Sequence, residues 1–377
     1  MSLSTFVTFV SISMISLIGC QTPSESAPDP AISNKQAATA VFVPTPTLRT
    51  PPKCEDEELL CVGLVTAAGK IDDKSINQSA WEGVLRARRD LGAQVEYVHT
   101  TEPAEYSKNI EYFAEQHYDV IVTVGFSIQD ATQQAAEKYP EIDFIGVDHD
   151  YAFVKNNKNV AGLVFPEKQA GYLAGALAAM ATDSGMIGAV FGTDQTPSII
   201  DFKSGYIVGA RSIDPDVEVF IEHHSGDVNQ ALTDPEWGKQ AAKDMIDAGA
   251  DVIFGVGGLT GNGALIESAN HDGVFCIGVN ADQWEVLPEA HGCLISSAVK
   301  QVNEGVFELI AWSLVGETKT GNFVGNVRLA PFHDFDEMMT AEAKSFLTDL
   351  KRGLEEGEIP LNGSYVHSDP PRAFVDR

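Results

Sequence analysis

Two series of alternating strand and helix patterns occupy the sequence between residues 61 and 279. Short apolar runs such as DVIVTV (119–124) and DFIGV (143–147) alternate with segments of helical spacing such as 75–91. A second series runs from QAGYLAGALAAMA (169–181) to FCIGV (275–279). Strands that alternate with helices of this length form parallel sheets with right-handed crossovers. The sequence therefore predicts an α/β protein with two doubly wound lobes.

The charge of the chain excludes one class of partner. There are 54 acidic and 25 basic residues, which gives a formal net charge of −29 at pH 7. Such a polyanion cannot neutralise phosphates along a nucleic acid, and its folded body is repelled by anionic lipid. We therefore expect no nucleic-acid partner.

The first 53 residues have the composition of a targeting segment followed by a linker. Residues 1–19 are mostly apolar and uncharged, as in a signal peptide or an uncleaved anchor helix. The LIGC sequence that ends at Cys20 resembles the lipobox of bacterial lipoproteins, which implies a lipidated cysteine and a protein held on the extracytoplasmic face of the cell membrane. The rest of segment 20–53 is rich in Pro, Ser and Thr, which predicts an extended linker.

The residues that follow the predicted strands are the candidate ligand contacts, because ligands of open parallel sheets bind beyond the carboxyl ends of the strands. These positions carry small, polar, carboxylate or aromatic side chains, and they include Ala67, Phe126, Asp148, Gly257, Asn262, Asn280 and Asp282. They lack the Cys/His spacing of a metal site and any nucleophile or phosphate-loop motif. We therefore expect a binding site without a metal, a cofactor or a catalytic group.

Several segments resemble the basic membrane protein family, bacterial lipoproteins of the purine nucleoside receptor A type. The opening run VGLVTAAGKIDDKSINQSAWEGV (62–84) is similar to the family signature. Further agreement in order and spacing is found in VTVGFSIQDA (122–131), IGVDHDY (145–151), EKQAGYLAG (167–175), FKSGYIVGA (202–210), TDPEWGKQAA (233–242), DVIFGVGGLTGNG (251–263), IGVNADQ (277–283) and ISSAVKQV (295–302). The resemblance covers roughly residues 58–320.

This resemblance implies the type I periplasmic-binding-protein fold, in which two lobes close on a ligand. It implies a substrate-binding protein that serves an ABC permease and its ATPase subunits, and that performs no chemistry. We expect lobe 1 to contain 58–163 and 298–320, and lobe 2 to contain 164–297 and 321–375. Three hinge crossings are expected near Gly162, Ser296 and Gly321.

The resemblance also implies roles for individual residues. It assigns Asn77 to a base edge, and it assigns Asp148 and Lys300 to the ligand, Lys300 holding ribose hydroxyls together with a carboxylate. Phe202 would stack on the ligand as a lid, and the loop at 257–263 would bring backbone close to it.

Three positions depart from the family pattern. Ala67 and Asn280 stand where aspartates are usual, and Ile76 stands where an aromatic is usual. The expected ligand is accordingly a nucleoside or modified nucleoside, with a non-nucleoside such as a sugar as the alternative.

Some of these residues have a second interpretation. Asp72 and Asp73 either contact the ligand or cap the helix that follows them. Lys300 either contacts the ligand or pairs with a carboxylate. His223 and His224 are adjacent in a predicted strand and therefore point to opposite faces, which argues against a shared metal.

Four cysteines remain once Cys20 is lipidated, an even number that fits two bridges. Outside the cytoplasm, Cys54–Cys61 and Cys276–Cys293 are possible disulfides, and buried free thiols are the alternative.

Two other functional classes are compatible with the fold. The chain could be a sensor that reports ligand occupancy to a membrane partner. It could also be a hydrolase that uses the carboxylates of Asp73 and Asp148, although no nucleophile–base pair is visible.

Overall fold

The computed structural model describes Cys54 and residues 59–152 and 158–374. The predicted signal peptide (1–19) and the linker with its lipidated cysteine (20–53) lie outside these residues. None of the helices in the described part of the chain is both long and apolar enough to cross a bilayer.

The first sheet has six parallel strands and forms the core of the first lobe. Its strands are β1 (Cys61–Thr66), β2 (Gln94–His99), β3 (Val120–Val124), β4 (Asp143–Val147), β5 (Val160–Val164) and β11 (Gly321–Val324). Their spatial order is β11-β5-β4-β3-β1-β2. β1 and β3 are buried along their whole length because helices cover both faces, whereas the edge strand β2 carries polar side chains.

Four helices cover this sheet: α1 (Ile76–Leu91), α2 (Tyr106–Ala114), α3 (Gln129–Lys138) and α10 (Val302–Leu314). α1 packs against α10 on one face, and α2 packs beside α3 on the other. The segment 302–324, which contains α10 and β11, therefore completes this lobe together with the first half of the sequence.

The second sheet also has six strands. They are β6 (Met186–Phe191), β7 (Glu218–His223), β8 (Val252–Val256), β9 (Phe275–Asn280), β10 (Leu294–Lys300) and β12 (Val327–Leu329), in the order β12-β10-β9-β8-β6-β7 with β12 antiparallel. The helices are α4 (Glu167–Ala181), α5 (Pro197–Ile213), α6 (Val228–Ala231), α7 (Pro235–Asp247), α8 (Gly258–Ser268), α9 (Gln283–Val286) and α11 (Ala341–Glu355). Two parallel-dominated, doubly wound lobes thus confirm the predicted fold class.

The chain crosses between the lobes three times, at 165–166, 301 and 325–326, between β5 and α4, β10 and α10, and β11 and β12. The expected lobe boundaries are therefore wrong by a few residues. Residues 298–300 end a strand of the second sheet, and Gly321–Val324 pairs with β5 in the first sheet, although it was assigned to lobe 2. A four-residue strand is held by its partner, and its own sequence carries too little pattern to reveal that partner.

Glycines bring α4 and α5 into backbone contact. A Cβ at Gly175 would lie 2.0 Å from the carbonyl oxygen of Tyr206, and one at Gly205 would lie 2.1 Å from that of Lys168. Because backbone atoms cannot turn aside as a flexible side chain can, these two helices pack this closely only without side chains at the crossing.

Gly175→Ala is expected to lower the free energy of unfolding by about 1–3 kcal/mol, since the added methyl group forces α4 and α5 apart. Urea denaturation measures the change. Gly292→Ala is the matched control, because its Cβ would lie 3.7 Å from the nearest atom, the Ala269 oxygen. Equal stability of the two variants would contradict the close-packing argument.

Two disulfides join Cys54 to Cys61 and Cys276 to Cys293, with Cα–Cα distances of 5.8 and 5.0 Å. The second spans 17 residues and links the strand β9 to the start of β10. It therefore braces the part of the second sheet from which the loop at 281–293 projects.

The double variant Cys276→Ala/Cys293→Ala is expected to lose about 2–3 kcal/mol of stability, because the unfolded chain regains the freedom of the opened loop. Guanidinium unfolding under non-reducing conditions tests this. The corresponding Cys54/Cys61 variant should lose less, since its loop spans 7 residues. A larger loss from the shorter loop would refute the entropic explanation.

Candidate ligand-binding cavity between the lobes

A cavity lies where the carboxyl ends of strands from both lobes face each other. Eight of the eleven predicted ligand residues line it: Ala67, Ile76, Asn77, Phe126, Asp148, Phe202, Gly257 and Asn280. The prediction missed other lining residues, among them Thr196, Ser198, Ile199, Val228, Leu232 and Thr233. Most of these are apolar or small residues in loops and first helical turns, where no polar strand-end pattern marks them.

In the first lobe, Asn77 is held by the loop that it faces. Its amide nitrogen donates hydrogen bonds to the carbonyl oxygens of Ala68 (2.8 Å) and Lys70 (3.1 Å). Both of its N–H groups are therefore used, which leaves the carbonyl oxygen as the group able to meet a ligand. The expected contact with a base edge is limited to that of an acceptor.

Asp73 borders the cavity but serves as a cap. Its carboxylate accepts hydrogen bonds from the backbone N–H groups of Ser75 (2.9 Å), Asn77 (3.1 Å) and Gln78 (3.1 Å) at the start of α1. Burial raises the pKa of Asp73 to about 6, against the lowering effect of these bonds. These bonds agree with the helix-cap interpretation of Asp73, whose two carboxylate oxygens both accept from backbone N–H groups.

Asp148 lines the cavity with Lys300 directly behind it. The Lys300 Nζ donates to both Asp148 oxygens (2.6 and 2.7 Å) and to the Glu167 Oε1 at 3.2 Å. Lys300 is only 1% exposed and does not line the cavity. Three carboxylate contacts occupy its ammonium group, in agreement with the carboxylate-pairing interpretation, and its contact with the ligand stays a prediction.

This buried ionic cluster, Asp148–Lys300–Glu167, joins the lobes beside two of the crossings. Lys300 ends β10, Glu167 begins α4, and Asp148 follows β4 of the first sheet. Burial raises the pKa of Glu167 to about 7, although the Lys300 charge opposes that shift. Burial lowers the pKa of Lys300, but Asp148 and Glu167 outweigh it and raise that pKa overall.

The aromatic and aliphatic lining differs between the lobes. Phe202 is 1% exposed and packs edge-on against Phe254, with ring centroids 6.3 Å apart. Phe126 of the first lobe is 42% exposed and forms part of the rim. Ile76 lines the cavity in place of a ring. One buried aromatic ring and several aliphatic groups thus form the apolar surface.

A glycine turn after β8 lets backbone form the cavity wall. Gly257 has φ of 105°, and a Cβ there would lie 2.6 Å from the Gly192 nitrogen. Only glycine fits this conformation and this contact.

Asn262 lies behind the glycine turn and does not line the cavity. Its amide nitrogen donates to the Asp73 carbonyl oxygen (2.9 Å), which is a bond between the lobes. The expected ligand contact is therefore replaced by a lobe-to-lobe contact.

Gln283 and Asn280 also make bonds between the lobes. The Gln283 amide nitrogen donates to the Lys74 carbonyl oxygen (3.0 Å) and to the Asn262 side-chain oxygen (2.7 Å). The Asn280 amide nitrogen donates to the Ser75 Oγ at 3.0 Å. Its side-chain oxygen is buried and has no hydrogen-bond partner among the described residues. The lobes are thus closed in this structure.

Asp282 was expected at the site, but it faces away from the cavity. Its Oδ2 accepts a hydrogen bond from the His333 Nε2 at 2.8 Å, if that nitrogen carries the proton. Asp282 is the N-cap residue of the short helix α9, but its side chain makes no capping bond and contacts His333 instead.

The two adjacent histidines contact different carboxylates. His223 contacts Asp194 at 3.2 Å, and His224 contacts Asp234 at 3.5 Å. The sequence argument that they point apart is confirmed.

Both carboxylates that line the described part of the cavity already have hydrogen-bond partners. Asp73 and Asp148 are the only ionisable side chains among its described lining residues. Backbone N–H groups engage the first, and Lys300 engages the second. Such a site suits a neutral molecule with an apolar body and a few hydrogen-bonding groups.

Comparison with known proteins gives a consistent result. Residues 61–324 match the family described as "ABC transporter substrate-binding protein PnrA-like". The "ABC transporter nucleoside-binding protein BmpA" of Lactococcus lactis subsp. cremoris is 32% identical over 326 residues, which cover 80% of this chain and 89% of the relative. "Basic membrane protein B" of Borreliella burgdorferi is 30% identical over 247 residues, which cover 63% and 69%.

Crystal structures of solute-binding proteins share the architecture. An ABC transporter solute-binding protein from Aeropyrum pernix K1 is 25% identical, with a TM-score of 0.69 over 80% of this chain and 92% of that one. Another, from Conexibacter woesei, is 20% identical, with a TM-score of 0.66 over 81% and 99%. The second likeness concerns the fold alone.

Proposed function

Since the chain belongs to the family of PnrA-like ABC transporter substrate-binding proteins, we propose that it binds a nucleoside and delivers it to an ABC importer. Members of this family are binding proteins and not enzymes. Beyond family membership, the proposal specifies the ligand and the membrane anchor. It also specifies the partner, which is a permease with its ATPase subunits.

We choose a neutral ligand because the two carboxylates among the described lining residues already have hydrogen-bond partners. A nucleoside is neutral, and it combines a flat apolar base with a hydroxylated sugar. Ile76, Phe202 and Leu232 offer apolar surface of the kind that a base contacts. An amino acid would bring two formal charges into a site whose carboxylates are already engaged, and their desolvation would be uncompensated. The name of the Lactococcus relative agrees with this choice.

Asp148 is the proposed acceptor for the sugar hydroxyls. A carboxylate accepts hydrogen bonds at two oxygens, each with more than one lone pair, so bonding to Lys300 leaves it able to accept from a ligand. Lys300 acts as a positioning residue, because it holds both Asp148 oxygens from behind the wall.

Lobe closure couples binding to delivery. Groups that line the cavity come from both lobes, so a bound ligand contacts both only in the closed state. This difference in contacts favours the closed state, whose surface a permease can recognise. The bonds from Asn262, Gln283 and Asn280 to the first lobe also exist only in that state.

A screen of ligands tests the proposed ligand. We expect nucleosides to raise the melting temperature, since a ligand at a hundredfold excess over its Kd stabilises by about 2.7 kcal/mol. Free bases, sugars and amino acids are the comparison sets. A rise with sugars and none with nucleosides would refute the ligand, and conversion of a nucleoside to products would refute the binding role.

The anchor requires a separate test. In bacteria fed labelled palmitate, the wild-type chain should be labelled and should partition into the detergent phase. Cys20→Ala should lose both properties, while Cys54, which lies beyond the linker, should take up no label. Labelling that survives in the Cys20→Ala variant would contradict lipidation at this residue.

A further inference from the structure

The residue before α5 carries a hydroxyl group that no described residue bonds. A threonine at this position normally caps the helix with its side chain. Thr196 makes no such bond, although it is only 6% exposed. Its Oγ1 has no hydrogen-bond partner among the described residues. Burying a hydroxyl without a partner is unfavourable, so its presence requires another explanation.

The cavity supplies that explanation. Thr196, Ser198 and Ile199 all line it, so the 17-residue helix α5 begins at the cavity wall. The N–H groups of a first helical turn lack acceptors within the helix, and Pro197 has none to offer. The N–H groups of Ser198 and Ile199 are therefore the first donors of α5, and the helix dipole adds partial positive charge there.

Nearby charges determine what kind of acceptor fits. Ser198 also lines an adjoining cleft together with Asp148, Asp150, Glu167 and Asp201. A phosphate or carboxylate of a ligand would face these acidic groups and be repelled. An amino group of a ligand would point its own hydrogens at the backbone N–H donors of α5, which cannot accept them. A neutral carbonyl oxygen meets neither obstacle.

We infer that Thr196 and the N-terminal amides of α5 form a subsite for a carbonyl oxygen of the nucleobase. The inference rests on the proposed nucleoside ligand and narrows it to nucleosides with an oxo group, such as inosine, over those with an amino group at the same position, such as adenosine. The Thr196 hydroxyl donates to the carbonyl oxygen beside the backbone N–H groups. Thr196 is thereby a specificity-determining residue.

Calorimetric titration of the purified full chain with inosine and with adenosine tests this. Wild type should bind inosine about tenfold more tightly than adenosine, as expected for one hydrogen bond that adenosine cannot form. Thr196→Val, which keeps the shape and removes the hydroxyl, should weaken inosine binding about five- to tenfold and adenosine binding about twofold or less. Thr196→Ser should retain the inosine affinity.

The melting temperature of the unliganded protein separates this role from a structural one. Because the hydroxyl is buried and caps nothing, Thr196→Val should melt at the wild-type temperature or above it. Inosine binding that is equal in wild type and Thr196→Val would overturn the subsite alone. A lower melting temperature of Thr196→Val with unchanged binding would show a capping role and likewise overturn it. Failure of every nucleoside to bind wild type would overturn the proposed function together with the subsite.

Discussion

Replacing Lys300 by methionine is expected to lower the free energy of unfolding by about 3–5 kcal/mol, because the carboxylates of Asp148 and Glu167 would then lie together without a cation. Both side chains are at most 11% exposed, so water cannot replace the lost ammonium group. Denaturant unfolding at pH 7 and above measures the change. The site should also lose affinity, since Asp148 would no longer be held against the cavity.

The loss should depend on pH in a defined direction. Glu167 has a pKa of about 7 in the folded protein, above its ordinary value of 4.5. A raised folded pKa means that the native state binds the proton more tightly, so stability from this group decreases as the pH rises from 4.5 to 7. Without Lys300 the pKa of Glu167 rises further. The variant should therefore differ less from wild type at pH 5 than at pH 8.

An exposed ion pair provides the control for Lys300. Lys239 contacts Glu236 at 2.6 Å on the surface of α7, and Lys239→Met should cost no more than about 1 kcal/mol. Adding Glu167→Gln to Lys300→Met should recover part of the stability. A Lys300→Met variant as stable as Lys239→Met at pH 8 would contradict the role given to the ionic cluster.

Gln283→Leu is expected to lower stability by about 3 kcal/mol and to weaken ligand binding about tenfold. Gln283 is fully buried, and its side-chain oxygen accepts from the Val279 N–H at 2.8 Å. Leucine leaves that N–H and the Asn262 oxygen unpaired inside the second lobe, which accounts for the stability. It also removes the bond to the Lys74 carbonyl, which the closed state alone makes, and this accounts for the affinity.

Gln195→Leu is the matched control for Gln283. Its amide nitrogen donates to the Gly226 oxygen at 3.0 Å, a contact within one lobe on the exposed surface. Both stability and affinity should stay close to wild type. Calorimetry and urea unfolding of the two variants decide the matter, and a Gln283→Leu variant with wild-type affinity would show that this bond does not contribute to closure.

The strand and helix alternation predicted most of the fold because each buried strand and amphipathic helix has its own periodicity. Strands such as β3 and β4 agree with the sequence pattern to within one residue. The third crossing was displaced because β11 and β12 are short, and their position depends on pairing with β5 and β10. Their partners are more than 25 residues away in sequence, so no local pattern could identify the sheet to which each belongs.

The sequence predicted cavity-lining residues where a position directly after a strand is enough to place the side chain at the cavity. Residues that directly follow strands, such as Ala67 and Asp148, line the cavity. Lys300, Asn262 and Asp282 do not, because their side chains have partners inside the protein: a carboxylate cluster, a backbone carbonyl and a histidine. Thr196 was missed because it looks like an ordinary helix cap, and only the folded structure reveals that its hydroxyl is unused.

Small-angle X-ray scattering of the purified protein with and without a saturating nucleoside tests the central claim most directly. Two lobes that close around a solute predict a smaller radius of gyration once calorimetry shows the ligand bound, and Gln283→Leu should then need more ligand to reach the same value. A bound nucleoside that leaves the scattering curve unchanged would contradict closure as the way in which this protein captures its ligand.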